Sequence, residues 1–170
     1  AVGSGTITDT NSGGVATAAA NGSYALTPSA AVGGTFNINN YAVTYTAGTL
    51  SVGQKALTIT ANAQSTTYGT ALALGTSGFT QTGLTNSDSI SAVTLKQNGN
   101  TTVPATQAAN TYSSTNGIVP SAASGSGLSN YAITYVNGTL TINQKALTIT
   151  ANNDSKTYGD LKTYGSGSSA

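Results

Sequence analysis

Residues 40–60 read NYAVTYTAGTLSVGQKALTIT, and residues 130–150 read NYAITYVNGTLTINQKALTIT. Fifteen of these 21 positions are identical at a separation of 90 residues. The similarity continues downstream, where Tyr68-Gly69 recurs as Tyr158-Gly159 at the same separation. Because a period of 90 residues is much longer than the rungs of a solenoid, we expect each period to be a small domain with its own core.

The repeat divides the chain into three parts. Residues 1–54 are the C-terminal part of one repeat, residues 55–144 are one complete repeat, and residues 145–170 begin a third. Only two residues separate the last predicted strand of one repeat from the first predicted strand of the next. The sequence therefore predicts tandem small β modules of about 90 residues, joined by connections too short to act as flexible coils.

The end of each repeat has the pattern of a β-hairpin. Asn137-Gly138 separates two runs in which apolar residues alternate with threonine or alanine, and this is typical of a two-residue turn. Such a turn places Tyr135 opposite Leu140 and Ile133 opposite Ile142, on one apolar face. The earlier copy predicts the same pairing for Tyr45 with Leu50 and for Val43 with Val52.

Other strands are predicted from alternation alone. Residues 55–61, KALTITA, indicate a half-buried strand. Weaker patterns predict strands near residues 77–82, 92–97 and 111–119, and the polar run at residues 86–90 predicts a turn.

The composition excludes several classes of protein. Thr, Ser, Asn and Gly supply 88 of 170 residues, and the chain has no His, Cys, Met, Trp, Arg or Glu. Imidazole bases, thiolate nucleophiles and metal sites built from nitrogen or sulfur are therefore excluded, and we expect neither an enzyme nor a cofactor. A net charge of +1 argues against nucleic acid, and no apolar run approaches the length of a membrane span.

The repeat resembles the YGX-type MBG domain. The resemblance rests on KALTITANAQSTTYGT, on KALTITANNDSKTYGD and on NYAITYVNGTLTI, and it covers essentially the whole chain. That family occurs in tandem arrays within large bacterial surface adhesins of the filamentous-haemagglutinin-like and autotransporter types. The resemblance implies a mostly β module, β-grasp-like or, as the alternative, an Ig-like β-sandwich. It also implies an extracellular location at the bacterial cell surface.

The Tyr-Gly pair is the first candidate motif. Tyr68 and Tyr158 follow the KALTIT strand at the same distance, and each precedes a glycine. We expect a packed tyrosine ring with its hydroxyl bonded to backbone, and a positive φ at Gly69.

Three further sites have plainer structural explanations. Asp154 and Asp160 could suggest calcium, but the other copy has Gln64 and Thr70 there. An isopeptide link would need Lys55, Asn143 and Asp88 together, and a solvated lysine is the simpler interpretation. Four tyrosines could form a sugar-stacking platform, although core packing explains them better: Tyr41, Tyr45, Tyr131 and Tyr135.

The sequence thus predicts a non-enzymatic repeat in the stalk of a surface adhesin. Its expected partners are the neighbouring repeats, other copies through unpaired strand edges, and surface glycans. A carbohydrate-binding module is the first alternative. An ice-binding surface, suggested by the recurring Thr-x-Thr pattern at residues 58–60, 139–141 and 148–150, is a weaker one.

Overall fold

The computed structural model describes residues 4–9, 13–32 and 37–164. The fold is mostly β, as predicted, and the described residues contain no α-helix. Three short 3₁₀ turns occur at Ile38–Asn40, Ser114–Asn116 and Leu128–Asn130. The strands are β1 (Ser4–Asp9), β2 (Ser23–Val32), β3 (Gly48–Ser51), β4 (Lys55–Ala61), β5 (Gln64–Thr67), β6 (Leu72–Ala73), β7 (Phe79–Thr82), β8 (Ser89–Lys96), β9 (Thr102–Val103), β10 (Asn110–Tyr112), β11 (Val119–Ser126), β12 (Tyr131–Val136) and β13 (Leu140–Asn143).

The strands form small sheets that divide at residue 54. Strands β1, β2 and β3 pair antiparallel in one sheet. Among the described strands, β4 to β13, residues 55–143, pair with one another and not with β1 to β3, and they form the central module. Its sheets have the orders β12-β4-β7, β10-β13-β5, β11-β8 and β6-β9.

Two parallel ladders follow one another along the chain in the central module, and we refer to them together as the parallel ladder. Strand β12 pairs in parallel with β4, from Tyr131 beside Lys55 onward. Strand β13 then pairs in parallel with β5, ending with Asn143 beside Thr67. The separation stays at 76 residues throughout, so each pair of strands behaves as one bent strand. We call the Lys55 end of this ladder the upstream end and the Asn143 end the downstream end.

The predicted hairpin is therefore wrong. Strands β12 and β13 belong to different sheets, so Tyr135 lies beside Ile59 and Leu140 lies between Gln64 and Tyr112. Neither Asn137 nor Gly138 has a positive φ, which a type I′ turn would require.

Gly138 lies in the bend between β12 and β13, where other backbone segments approach it closely. A Cβ on Gly138 would lie 2.5 Å from the Ala61 carbonyl oxygen. On its other side, Gly138 exchanges two backbone hydrogen bonds with Ile118, at 2.8 and 2.9 Å. The chain therefore passes between two other backbone segments, and only glycine fits there without displacement.

The core follows the predicted alternation although the pairing differs. Leu57 and Ile59 of β4 are fully buried, and Leu140 and Ile142 of β13 face the same interior. The remaining buried apolar residues come from the rest of the module: Ala61, Leu74, Val93, Leu95, Val103, Ile118 and Tyr131. Alternation reports which face of a strand is buried, and it predicted the buried face of β4 and β13 correctly. Tyr135, which was expected on the same apolar face, is exposed instead.

Two of the three weaker strand predictions are largely confirmed, and the third is wrong. Strands β7 and β8 cover most of residues 77–82 and 92–97, and a backbone hydrogen bond from Asp88 to Thr85 closes the expected turn. The strand predicted over residues 111–119 is wrong, because a 3₁₀ turn interrupts it between β10 and β11.

The repeated segments outside the central module behave differently from their copies. Residues 41–47 carry no strand, and β3 pairs with β2, so the earlier predicted hairpin is wrong as well. Residues 144–156 also carry no strand, although residues 145–151 repeat the KALTITA of β4. Tertiary partners, and not local sequence, decide whether this segment becomes a strand.

Candidate functional site

The upstream end of the ladder is organised around Tyr131. Its ring is 4% exposed, so it belongs to the core. Its hydroxyl accepts a 3.0 Å hydrogen bond from the Thr85 N–H and donates a 2.8 Å bond to the Asp88 carboxylate. This network ties the turn before β8 to the start of β12.

A glycine makes room for the Asp88 carboxylate. Gly127 has a φ of 70°, and a Cβ there would overlap the carboxyl group of Asp88. Asp88 is thus held between Gly127 and the Tyr131 hydroxyl. It is the one acidic residue in residues 55–144.

The preceding segment, described over residues 13–32 and 37–54, is bonded to this upstream end. The Ala20 N–H donates to the Asn130 side-chain oxygen at 2.9 Å, and the Gln54 amide donates to the Ser129 carbonyl at 3.1 Å. A third bond runs the other way, from the Asn86 amide to a carbonyl of the preceding segment, at 2.8 Å. These three bonds across the junction define what we call the joint.

The joint encloses a small cavity. Val52 and Gly53 line it from the preceding segment, and Lys55, Asp88 and Tyr131 line it from the central module. Its volume is about 120 Å³, well below the roughly 300 Å³ at which small-molecule pockets begin. The cavity is therefore the interior of a contact between two segments.

The Tyr-Gly pair lies at the downstream end. The Tyr68 N–H donates to the Asn143 carbonyl at 2.9 Å, and the Gly69 N–H donates to the Ala105 carbonyl at 3.0 Å. Gly69 has a φ of 91°, which confirms the predicted positive value, and its copy Gly159 has a φ of 92°. The motif fastens the end of β5 to the end of β13.

The tyrosine ring itself is not packed as expected. Tyr68 is 46% exposed and lines an open groove with Gln144, Lys145 and Leu147. Tyr158 is fully exposed. The backbone of the Tyr-Gly pair is thus structurally engaged, while the ring stays at the surface.

The four candidate platform tyrosines do not form one surface. In the central module Tyr131 is buried, whereas Tyr135 is at the surface and accepts a 2.9 Å hydrogen bond from the Ala123 N–H. Their copies Tyr41 and Tyr45 are both exposed. A stacking platform therefore cannot include the Tyr131 position of the complete repeat.

Tyr24 and Tyr112, which the sequence analysis did not single out, make equivalent hydrogen bonds to backbone carbonyls. The Tyr24 hydroxyl donates to the Ala19 carbonyl at 3.2 Å, and the Tyr112 hydroxyl donates to the Ala108 carbonyl at 2.9 Å. Tyr24 lies opposite Leu50 and Tyr112 lies opposite the copy of that leucine. The back-bonded hydroxyl resembles the tyrosine corner of β-sandwiches.

The structure also brings threonines together on one sheet face. Thr58 of β4 lies between Thr134 of β12 and Thr82 of β7, and Thr60 lies beside Thr80. Directly paired residues point to the same face, so these side chains form a hydroxyl array about 4.8 Å apart between strands.

The candidate ligand and cross-link sites are not assembled. Asp154 is ion-paired with Lys162, and the described ranges hold no group of three residues suited to a metal ion. Asp88 lies at the upstream end and Asn143 at the downstream end, so the isopeptide grouping with Lys55 is excluded by the ladder between them. Within residues 4–9, 13–32 and 37–164, no helix has the length and apolar character needed to cross a membrane.

Comparison with known proteins identifies the family. The family model of the YGX-type MBG domain matches residues 57–141, half of the chain. No curated protein and no solved structure matches the chain at a significant level. The matched range begins in β4, contains the Tyr68-Gly69 motif and ends in β13. The chain therefore belongs to the YGX-type MBG domain family.

Proposed function

We propose that this chain is a non-enzymatic segment of the extended stalk of a bacterial cell-surface adhesin. In this proposal residues 1–54, 55–144 and 145–170 belong to three successive MBG modules, exposed outside the cell. The family supports it, because MBG domains are structural repeats typical of surface proteins.

The parallel ladder is the observation that carries the proposal. Because β4–β5 and β12–β13 run in the same direction, the module's first strand starts at the upstream end and its last strand finishes at the downstream end. An antiparallel arrangement would return the chain to its starting point. Thirteen residues at about 3.3 Å each give an advance of at most about 43 Å per module. Repetition of such a unit lengthens the chain in one direction.

The joint supports a stiff connection. Three residues, Val52, Gly53 and Gln54, separate β3 from β4, and Val52 and Gly53 line the joint cavity. Hydrogen bonds from Gln54, Asn86 and Ala20 cross the junction. A connection that is both short and bonded on two sides restricts rotation between modules.

The proposal also includes the fold type of the module. We favour the Ig-like β-sandwich over the β-grasp, because a β-grasp packs an α-helix on its sheet and the described residues contain none. The back-bonded Tyr112 hydroxyl points in the same direction.

Small-angle scattering on chains carrying two, three and four copies of residues 55–144 tests the stalk. The maximum dimension should increase by a constant step of up to about 43 Å per copy. Growth with roughly the square root of copy number would mean flexible connections, and would contradict the proposal.

The threonine array keeps a second candidate function open. Thr58 with Thr134 and Thr82, and Thr60 with Thr80, place hydroxyls on one sheet face that could contact ice or glycans. Calorimetric titration against a glycan panel and a thermal-hysteresis measurement distinguish these roles from a purely structural one. Absence of both signals leaves the stalk as the sole proposal.

A further inference from the structure

The chain enters and leaves the central module through strands that are paired in parallel. It enters at Lys55, the first residue of β4, and leaves at Asn143, the last residue of β13. Strand β4 pairs with β12 along its first six residues, and β13 pairs with β5 along its whole length. Tension along the chain therefore reaches the rest of the module through these two ladders.

Pulling on the two ends of the module loads both ladders in shear. Tension draws β4 toward the upstream end, while β12 is drawn the opposite way through its connection to β13. The same tension draws β13 toward the downstream end, while β5 is held back through β4. Because paired strands are pulled along their length in opposite directions, the evenly spaced backbone bonds of a parallel ladder must break together.

The neighbouring strands and the core also oppose sliding. Strand β4 is paired on its other side with β7, and β13 with β10. Leu57 and Ile59 of β4 are fully buried, and Leu140 and Ile142 of β13 face the same core. Sliding either strand by one residue would turn these side chains away from the positions in which they are packed.

The Tyr-Gly pair closes the ladder at the point where tension leaves β13. The Tyr68 N–H donates to the Asn143 carbonyl at 2.9 Å, one residue beyond the last paired residue of β5. Residues 67–70 form a turn, which a 3.0 Å bond from the Thr70 N–H to the Thr67 carbonyl closes. The positive φ at Gly69, the third position, and not at Tyr68, the second, is that of a type II turn.

We infer that the central module is a tension clamp, in which the parallel ladder resists pulling in shear and the Tyr68 backbone bond secures its downstream end. The inference deepens the proposed function, because a stalk under tension is what loads the module from its two ends. It also gives the Tyr-Gly pair a mechanical role that needs its backbone, while the Tyr68 ring stays at the surface.

Single-molecule pulling of the 170-residue chain from different attachment points tests the shear geometry. The chain has no cysteine, so pairs of engineered cysteines can carry the handles. Gly53→Cys with Gln144→Cys applies force at opposite ends of the parallel ladder. Thr67→Cys with Gln144→Cys applies force at the downstream end alone, where the ladder can open one bond at a time. We expect a severalfold higher unfolding force for the first pair.

The two attachment chains are matched in stability. All three replaced residues are exposed, so the two chains should have the same free energy of unfolding in urea. Forced unfolding depends on the unfolding rate along the direction of pulling, and this direction is then the difference between the chains. Equal unfolding forces for the two pairs, or a higher force for the second, would overturn the inference.

Tyr68→Pro tests the bond at the downstream end. Proline lacks the N–H that donates to Asn143, but it suits the second position of a type II turn, so the turn is retained. With the handles at residues 53 and 144, we expect a lower unfolding force than in the parent chain. Tyr68→Ala is the matched control, because it keeps the N–H and removes the ring, and its unfolding force should equal that of the parent.

Two outcomes would overturn the role of the Tyr68 bond. An unchanged force in Tyr68→Pro would show that the bond does not secure the ladder. An equal loss of force in Tyr68→Ala and Tyr68→Pro would assign the effect to the ring. The comparison of attachment points uses neither variant, so it tests the shear geometry even if Tyr68→Pro does not fold.

The clamp and the stalk fail in different experiments. Scattering measures how successive modules extend, whereas pulling from residues 53 and 144 measures the resistance of one module. Equal forces in both pulling directions would overturn the clamp and leave a stiff array intact. A flexible array would overturn the stalk and leave the direction dependence of one module intact.

Discussion

Gly138 passes so close to Ala61 that a Cβ on the glycine would lie 2.5 Å from the Ala61 carbonyl oxygen. The bend between β12 and β13 therefore lies directly against the bend between β4 and β5. The two segments pair in parallel on both sides of this close approach.

Replacing Gly138 by alanine should destabilise the module. The added methyl group meets two backbone carbonyls, and overpacking of this kind costs about 1–3 kcal/mol. Urea unfolding measures the change in free energy. Gly53→Ala is the control, because a Cβ there meets nothing within 4 Å, and its free energy should change little. Equal losses for both variants would show that the close approach is absent.

Leu140→Ala should lower the free energy of unfolding by about 2–5 kcal/mol, because Leu140 is fully buried between β5 and β10. Thr141→Ala, on the other face of the same strand, should cost about 0.5 kcal/mol or less. Chemical denaturation of both variants provides the comparison. Similar costs at the two positions would contradict the orientation of β13.

Tyr131→Phe should destabilise the upstream end by about 1.5–3 kcal/mol, since it leaves the Asp88 carboxylate and the Thr85 N–H without their shared partner. Tyr135→Phe removes a hydroxyl of the same strand that accepts only one exposed backbone bond, and should cost about 0.5 kcal/mol. Thermal and urea unfolding of the two variants measure the loss of stability in each. A Tyr135→Phe effect as large as that of Tyr131→Phe would count against the Asp88 network.

Removal of the joint bonds should loosen the connection between segments. The variant Asn86→Ala with Asn130→Ala deletes two of the three side chains that bond across the junction. Spin labels on Thr46→Cys and Thr101→Cys report the distance across it. We expect one narrow distance distribution in the parent chain and a broadened one in the variant.

An exposed asparagine outside the joint provides the control for that experiment. Asn152→Ala should leave the distance distribution narrow, because residue 152 lies beyond the central module. A broad distribution already present in the parent chain would show that the joint does not restrain the segments.

Sequence alone determined which segments are apolar on one side and where they recur. The alternation at residues 55–61 and 140–142 reports burial, because successive side chains of a strand point to opposite faces whatever strand lies next to it. The positive φ of Gly69 could also be predicted, since glycine after a strand favours that conformation. The family followed from the same repeated residues.

Only the tertiary structure decided which strands are neighbours. Backbone hydrogen bonds are the same for every residue type, so the pattern of β12 and β13 fits a hairpin and a parallel ladder equally well. Asn137-Gly138 favoured the hairpin, but the nearby Ala61 and Ile118 backbones require the same glycine for a different reason. The identical KALTITA segments differ for the same cause. Strands β7 and β12 pair with β4, and its Leu57 and Ile59 face the core, whereas in residues 145–151 Leu147 and Ile149 are exposed.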